Sequence, residues 1–389
     1  MRPTWEKNPL NSEMRSSFMN SSWCGRVHWR LIHAARNSHA ALFAACEKEG
    51  IILHPARGPS PDITVYSLNS LNESRYRKEI RDADCITIVG GPHATACYQE
   101  VSEYADYVVV GEGEFTLPRL IWQIAQGGKG AVPGVAAGGE YVPPGYEVRM
   151  DAYPPFSHMK GYIEISRGCP FGCAYCQTPR MFGFRMRHRS LDSIAIYASK
   201  HRDARFVTPN ALAYGSDGST PRLEKVEALL KRLKNNIYFG TFPSEVRPEF
   251  VTDASLELIT TYCSNTRLHF GGQSGSDRVL RELHRGHSAH DTMTAVDRCH
   301  EHGIIPVVDF IVGFPFESDE EQRESARAIK EVCRGGKVHV HRFIPLPGTP
   351  LAGARTRKIL PEIDRCLGSL SLHGKLTGSW GDPQIRFCP

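Results

Sequence analysis

The sequence has no apolar run long enough to cross a membrane. Its longest, residues 303–316, is interrupted by Pro306, Asp309 and Pro315, and a spanning helix needs roughly 20 residues. No apolar signal core stands at the amino terminus, where Glu6 and Lys7 lie among Asn and Ser residues. An excess of one charge sign is also missing. The 47 Lys and Arg against 42 Asp and Glu leave a formal net charge of +5, well short of the dense positive stripe of a nucleic-acid binder. Internal repeats and low-complexity tracts are absent. These absences predict a soluble, cytoplasmic protein whose partners are neither membranes nor nucleic acids. A disulfide framework is excluded as well, since 12 cysteines in 389 residues are far too dilute for one. Nine of them are scattered: Cys24, Cys46, Cys85, Cys97, Cys263, Cys299, Cys333, Cys366 and Cys388. The other three, Cys169, Cys173 and Cys176, are crowded together, and without a secretion signal such a cluster reads as metal chemistry.

What is present suits a globular chain of two or three domains, with 41% hydrophobic and 23% charged residues. Apolar positions predict a helix over residues 27–48 with Gly50 as its stop. Strands are expected over 62–68, 85–89 and 107–110, and helices over 73–81, 101–105 and 115–126. Such alternation argues for an open, mostly parallel, Rossmann-like sheet over residues 1–130. Residues 131–160, rich in Gly, Pro and Tyr, read as a linker. Six further strands (162–166, 205–208, 238–242, 267–270, 305–311 and 338–343), with helical patterns such as 223–233 and 319–333 between them, fit a complete or partial TIM-type β/α barrel over 161–350. A small carboxy-terminal segment, 351–389, completes an α/β chain.

Three thiolates at C-x3-C-x2-C spacing after the first barrel strand can hold three irons of a [4Fe–4S] cluster and leave the fourth open. Gly168 and Gly172 would let the backbone wrap it. A zinc site completed by His158 or His188 is the plainer alternative. Tyr175 before the last cysteine makes the motif resemble that of the radical SAM superfamily. Further segments extend the likeness: Ser244-Glu245-Val246-Arg247-Pro248, Gly272-Gln273-Ser274-Gly275-Ser276-Asp277 with Arg285-Gly286, residues 309–315 with Glu317, and residues 345–350. The resemblance implies that Cys169, Cys173 and Cys176 ligate the cluster. It also implies that the open iron chelates S-adenosylmethionine and that Tyr175, Ser244, Glu245, Arg247, Gln273, Ser274 and Val312 contact that cofactor. One electron from the cluster would then release a 5′-deoxyadenosyl radical.

In the first domain, Ser67-Leu68, Gly90-Gly91 with His93, and Glu112-Gly113-Glu114 each follow a strand, where backbone amides can approach a phosphate or nucleotide-like tail. This series resembles the cobalamin-binding domain of cobalamin-dependent radical SAM enzymes. Their loops imply that these residues hold cobalamin. The string around His39 lacks the Asp and Gly that flank a cobalt-ligating histidine, so cobalt without a His lower ligand is expected. Together the likenesses imply methyl transfer from methylcobalamin to an unactivated sp3 carbon, with an electron donor and a protein or peptide as partners. No catalytic acid–base residue is assigned. At its narrowest the resemblance is to methanogen-type members that methylate a glutamine Cα in methyl-coenzyme M reductase, a post-translational modification. The alternatives are a cobalamin-dependent radical SAM enzyme acting on a tetrapyrrole or lipid, a methylthiotransferase of tRNA or ribosomal protein, and a non-enzymatic cobalamin- or metal-binding protein. A methylthiotransferase should add a second three-Cys set near its amino terminus and a carboxy-terminal RNA-binding barrel.

Overall fold

Short apolar strands alternating with amphipathic helices bury a parallel sheet when the helices cross over its faces, and the chain does this twice. The computed structural model describes residues 25–128 and 131–381. It falls into two units, Met1–Gly161 and Tyr162–Pro389.

In the first unit, β1 (Val27–Arg30), β2 (Leu53–Ala56), β3 (Ile63–Ser67), β4 (Ile86–Gly90) and β5 (Tyr107–Val109) run parallel. An antiparallel hairpin of β6 (Val135–Ala137) and β7 (Glu140–Val142) extends them in the order β2-β1-β3-β4-β5-β6-β7. The helices are α1 (Arg36–Lys48), α2 (Glu73–Arg81), α3 (Pro92–Ala96), α4 (Tyr98–Val101) and α5 (Gly113–Ala125). The 2-1-3-4-5 order is that of a doubly wound sheet, whose ligand crevice opens at the carboxyl ends where the order reverses, here between β1 and β3. Trp29, Tyr66, Ile88 and Ile121 lie in its core.

Three expectations are corrected here. Residues 27–30 form a strand, because Val27 and Trp29 alternate inward with period two, and the helix starts only at Arg36. The helix expected over 101–105 lies earlier, as α3 and α4, with Pro92 at its first position. Residues 131–160 are no linker. The Gly138-Gly139 turn, both residues at positive φ, folds β6 and β7 onto the sheet edge, and Val148 and Tyr153 pack with Ala45. The unit boundary falls at residue 161 instead. Residues 1–24, part of the expected first domain and including Cys24, lie outside the described residues, as does Cys388.

In the second unit, β8 (Ile163–Glu164) leads into a short antiparallel ladder of β9 (Ser166–Arg167) and β10 (Arg187–His188). It also pairs in the parallel order β12-β11-β8 with β11 (Asp203–Val207) and β12 (Asn236–Tyr238). A second parallel sheet follows in sequence order: β13 (Arg267–Gln273), β14 (Ile305–Val312), β15 (Lys337–Arg342) and β16 (Leu376–Ser379). The His269 N–H donates to the Gly240 carbonyl (2.8 Å) and the Val246 N–H to the His269 carbonyl (2.9 Å). These bonds join the two sheets into one open arc, a partial β/α barrel. Helices α6 (Thr178–Phe182), α7 (Leu191–Ala198), α8 (Leu223–Arg232), α9 (Asp253–Tyr262), α10 (Asp277–Glu282), α11 (Ala289–Glu301), α12 (Asp319–Gly335) and α13 (Pro361–Leu372) connect the strands. The expected separate tail is corrected in part, since β16 pairs with β15 from Val338↔Leu376 to His341↔Ser379. Among the described residues no helix is long and apolar enough to cross a membrane.

Candidate active site

The cysteine loop leaves β9 through Gly168, whose φ is +86°. A Cβ there would stand 2.1 Å from the Arg185 carbonyl oxygen, so glycine is what lets the loop root against the returning chain. The Cys169 N–H donates to the Gly183 carbonyl (3.2 Å) and the Ala174 N–H to the Leu283 carbonyl (3.0 Å). Gly172 has no such constraint; its Cβ would meet only Phe184 at 3.7 Å. Cys169, Cys173 and Cys176 border one cavity of about 230 Å³, together with Phe171, Tyr175, Asn210, Glu245, Arg247, Gln273 and Arg285. Burial, above all, pushes the Cys169 thiol up and raises the Tyr175 hydroxyl. A soft metal binding the thiolate form would reverse the first effect.

The cavity wall is built by strand ends. Gln273 sits at the bulge where the β13–β14 register shifts and holds φ at +67°, a region costly for a non-glycine residue and often kept at functional sites. Gly271 makes room for it, because a Cβ there would lie 2.2 Å from the Gln273 side-chain nitrogen. The Arg247 guanidinium lies 3.5 Å above the Phe171 ring, and its Nε donates to Glu249 (2.6 Å). Arg285 donates through Nη2 to the Gly271 carbonyl (2.8 Å) and through Nη1 to Cys173 Sγ (3.7 Å). Asp309, on β14, has Glu245 as a neighbour. Its carboxyl is held far above the ordinary range, first by burial and then by the neighbouring carboxylate.

Ser244, Ser274 and Val312, expected at the cofactor, lie outside this lining. Ser244 Oγ donates to the Thr241 carbonyl (3.0 Å). Ser274 Oγ pairs with Ser325 Oγ (3.2 Å), and the Val312 carbonyl accepts from the Phe343 N–H (2.8 Å). Glu245 and Gln273 line the cavity, while the Ser244 and Ser274 hydroxyls are taken up by Thr241 and Ser325. Both histidines suggested for a zinc site have other partners in the structure. The His188 ring nitrogens are engaged by Ser166 Oγ (2.9 Å) and the Ser216 carbonyl (2.7 Å), and His158, in the first unit, pairs with Glu47 (3.0 Å).

Arg285 and Asp309 entered the sequence reading only as parts of likeness segments with no site role, and Asn210 did not enter it at all. Asn210 is only 4% exposed and lines the cavity, yet neither its Oδ1 nor its Nδ2 has a hydrogen-bond partner. A buried amide left unmet is costly, and a polar ligand would satisfy it. Its place just after β11 was the available signal. The donor set therefore fits the implied groups: three thiols for an iron–sulfur cluster, and an unmet amide beside Glu245, Arg247 and Gln273 for a polar cofactor.

In the first unit, Ser67 and Gly90 end β3 and β4, and Leu68, Gly91, His93, Glu112, Gly113 and Glu114 follow β3, β4 and β5. The Leu68 N–H donates to the Gly90 carbonyl (2.8 Å), and the His93 N–H donates to the Leu68 carbonyl (3.2 Å). Gly91 is required by this approach: its φ is +99°, and a Cβ would meet the Leu68 carbonyl oxygen at 2.5 Å. Gly113 starts α5, with Leu42 3.0 Å from an added Cβ, and Glu114 is buried. His93 is also buried, and burial lowers its pKa. Its Nδ1 meets Ser70 Oγ (3.2 Å), while Nε2 has no hydrogen-bond partner, an unmet atom at the strand-end edge that suits a polar ligand. His39, by contrast, stacks on Trp29 with ring centroids 4.8 Å apart, and burial pushes it down to about 4.

Residues 163–329, within the second unit, match the model of the Radical SAM superfamily. The tRNA-2-methylthio-N(6)-dimethylallyladenosine synthase of Rickettsia rickettsii (strain Sheila Smith) is 25% identical over 315 residues, 76% of this chain and 66% of that one. The synthase of the same name from Pelobacter propionicus is 28% identical over 217 residues, 52% of this chain and 48% of that one. The chain thus spans no more than 66% of the length of these relatives. Among solved structures, the radical S-adenosylmethionine methyltransferase TsrM from Kitasatospora setae, with cobalamin and a [4Fe-4S] cluster bound, superposes with TM-score 0.64. It is 17% identical, over 84% of this chain and 74% of that one. The cobalamin-dependent S-adenosylmethionine radical enzyme OxsB gives 0.58 at 16% identity, over 90% of this chain and 56% of that one. At these identities the likeness is one of fold alone, a doubly wound parallel-sheet unit and a partial β/α barrel.

Proposed function

We propose that the chain is a cobalamin-dependent radical SAM C-methyltransferase. The observation that carries this reading is the convergence of three thiols on one cavity beside the unmet Asn210 amide. When bound, the cluster, S-adenosylmethionine and methylcobalamin would supply the electron, the radical and the methyl group. Cys169, Cys173 and Cys176 would hold three irons. Asn210, Glu245, Arg247 and Gln273 would orient the sulfonium cofactor, with Tyr175 and Phe171 keeping water out. In the first unit the loops carrying Ser67, Leu68, Gly90, Gly91, His93, Glu112, Gly113 and Glu114 would hold cobalamin, supported by the doubly wound strand order and the fold shared with TsrM and OxsB. The buried His39 is unsuited to ligate cobalt. The expected substrate is an sp3 carbon of a protein or peptide, in the cytoplasm, with an external electron donor. A glutamine of methyl-coenzyme M reductase is the narrowest version, and none of the comparisons points to it.

Methylthio transfer is the second reading, favoured by the curated relatives. Among the described residues, the first-unit cysteines weigh against it: Cys46 is buried within α1, while Cys85 and Cys97 lie on separate segments near β4 and α4. Anoxic loading with iron, sulfide and hydroxocobalamin separates the two. The methyltransferase reading expects corrinoid absorption retained through gel filtration and a peptide product heavier by one methylene. Retained iron without corrinoid, and a product carrying added sulfur, would replace it with methylthio transfer.

A further inference from the structure

We infer that Arg285 sets how readily an iron–sulfur cluster on Cys169, Cys173 and Cys176 takes up one electron, with Glu249 as its counterweight. The inference rests on the cluster reading above. Arg285 is 8% exposed, and its Nη1 donates to Cys173 Sγ at 3.7 Å. Its Nη2 is held by the Gly271 carbonyl at 2.8 Å, and its Nε has no hydrogen-bond partner. Gly271 shapes this contact too, since a Cβ there would lie 3.3 Å from Nη2. The Arg285 carbonyl accepts a hydrogen bond from the guanidinium of Arg247, itself 5% exposed.

The carboxylate bonded to this pair of arginines is held by Arg247 and not by Arg285. Glu249 accepts from Arg247 Nε at 2.6 Å, giving one carboxylate to two guanidiniums. His287, 3.6 Å from Glu249, adds no charge; burial and then the two arginines push it down to about 3. No carboxylate hydrogen-bonds Arg285 itself, so its charge is buried with a coordinating sulfur as its side-chain partner, an arrangement that is costly unless an anion faces it. Reduction adds one electron, drawn from an external donor, and makes the cluster one unit more negative. A fixed cation and an N–H···S hydrogen bond stabilise that form more than the oxidised one, so the midpoint rises.

An anaerobic redox titration of the iron-loaded full chain, followed by electron paramagnetic resonance, tests this. At the poise where the unaltered protein is half reduced, Arg285→Met should lower the reduced-to-oxidised ratio about tenfold, equivalent to 59 mV for one electron. Glu249→Gln should move the ratio the opposite way, because it strips the counterweight. A packing role for Arg285 would change iron content without producing opposed shifts. Should Arg285→Met bind no iron, Glu249→Gln decides alone. Unchanged midpoints at full iron content, or shifts of the same sign, overturn the inference. An unaltered protein that takes up no iron overturns the cluster reading itself, and this inference with it.

Discussion

At the residue scale, the site was legible where chemistry is carried by rare residue types. Three cysteines in C-x3-C-x2-C spacing announce themselves, and the structure puts them on one cavity with Tyr175, Glu245, Arg247 and Gln273. Asn210 and Asp309 were not legible, because an ordinary polar residue becomes informative only once its neighbours are known to leave it unmet or protonated. Asp309 yields a prediction with a definite sign. Its folded-state pKa lies above the unfolded one, so the native chain holds a proton the unfolded chain has lost. Stability from this group is therefore greatest at acidic pH and falls as pH rises from the ordinary carboxyl range towards the raised value. Asp309→Asn, neutral at every pH, should flatten that fall. Urea midpoints for both proteins at about pH 6 and about pH 8 check it, and an equal decline in both would refute the assignment.

Among the elements, long amphipathic segments read well. α2 is predicted and found over Glu73–Arg81, and α12 over Asp319–Gly335 extends the expected 319–333 by two residues. Short strands read poorly. β2 carries Pro55 at the outer edge of its sheet, where a missing N–H is tolerated, and its four residues show no pattern above background. β1 was hidden because Leu31, Ala34 and Ala35 continue the helical spacing of α1 backwards, although Leu31 is 44% exposed. The β4–α3 turn was legible as a paired glycine, but its stronger reason is local. Gly91 stands at φ +99° against the Leu68 backbone, so Gly91→Ala should cost about 1–3 kcal/mol from the backbone alone. Chemical denaturation measures this, and a loss under about 0.5 kcal/mol would mean the turn relaxes around the methyl group.

On the scale of the whole molecule, two parallel-sheet units each carry their own candidate loops, and the proposed cofactors divide between them. Gly91→Ala should weaken corrinoid binding and leave iron content near that of the unaltered protein. Cys173→Ala should do the converse, with iron lost and corrinoid absorption kept. Simultaneous loss of both in either variant would contradict this division. The central claim is narrower still: three thiolates hold a cluster that cleaves S-adenosylmethionine. It is tested most directly by anoxic reconstitution with iron and sulfide, then quantifying 5′-deoxyadenosine formed from S-adenosylmethionine under reduction. The account predicts steady 5′-deoxyadenosine formation by the unaltered chain and none by Cys173→Ala; formation at the same rate by both proteins would contradict it.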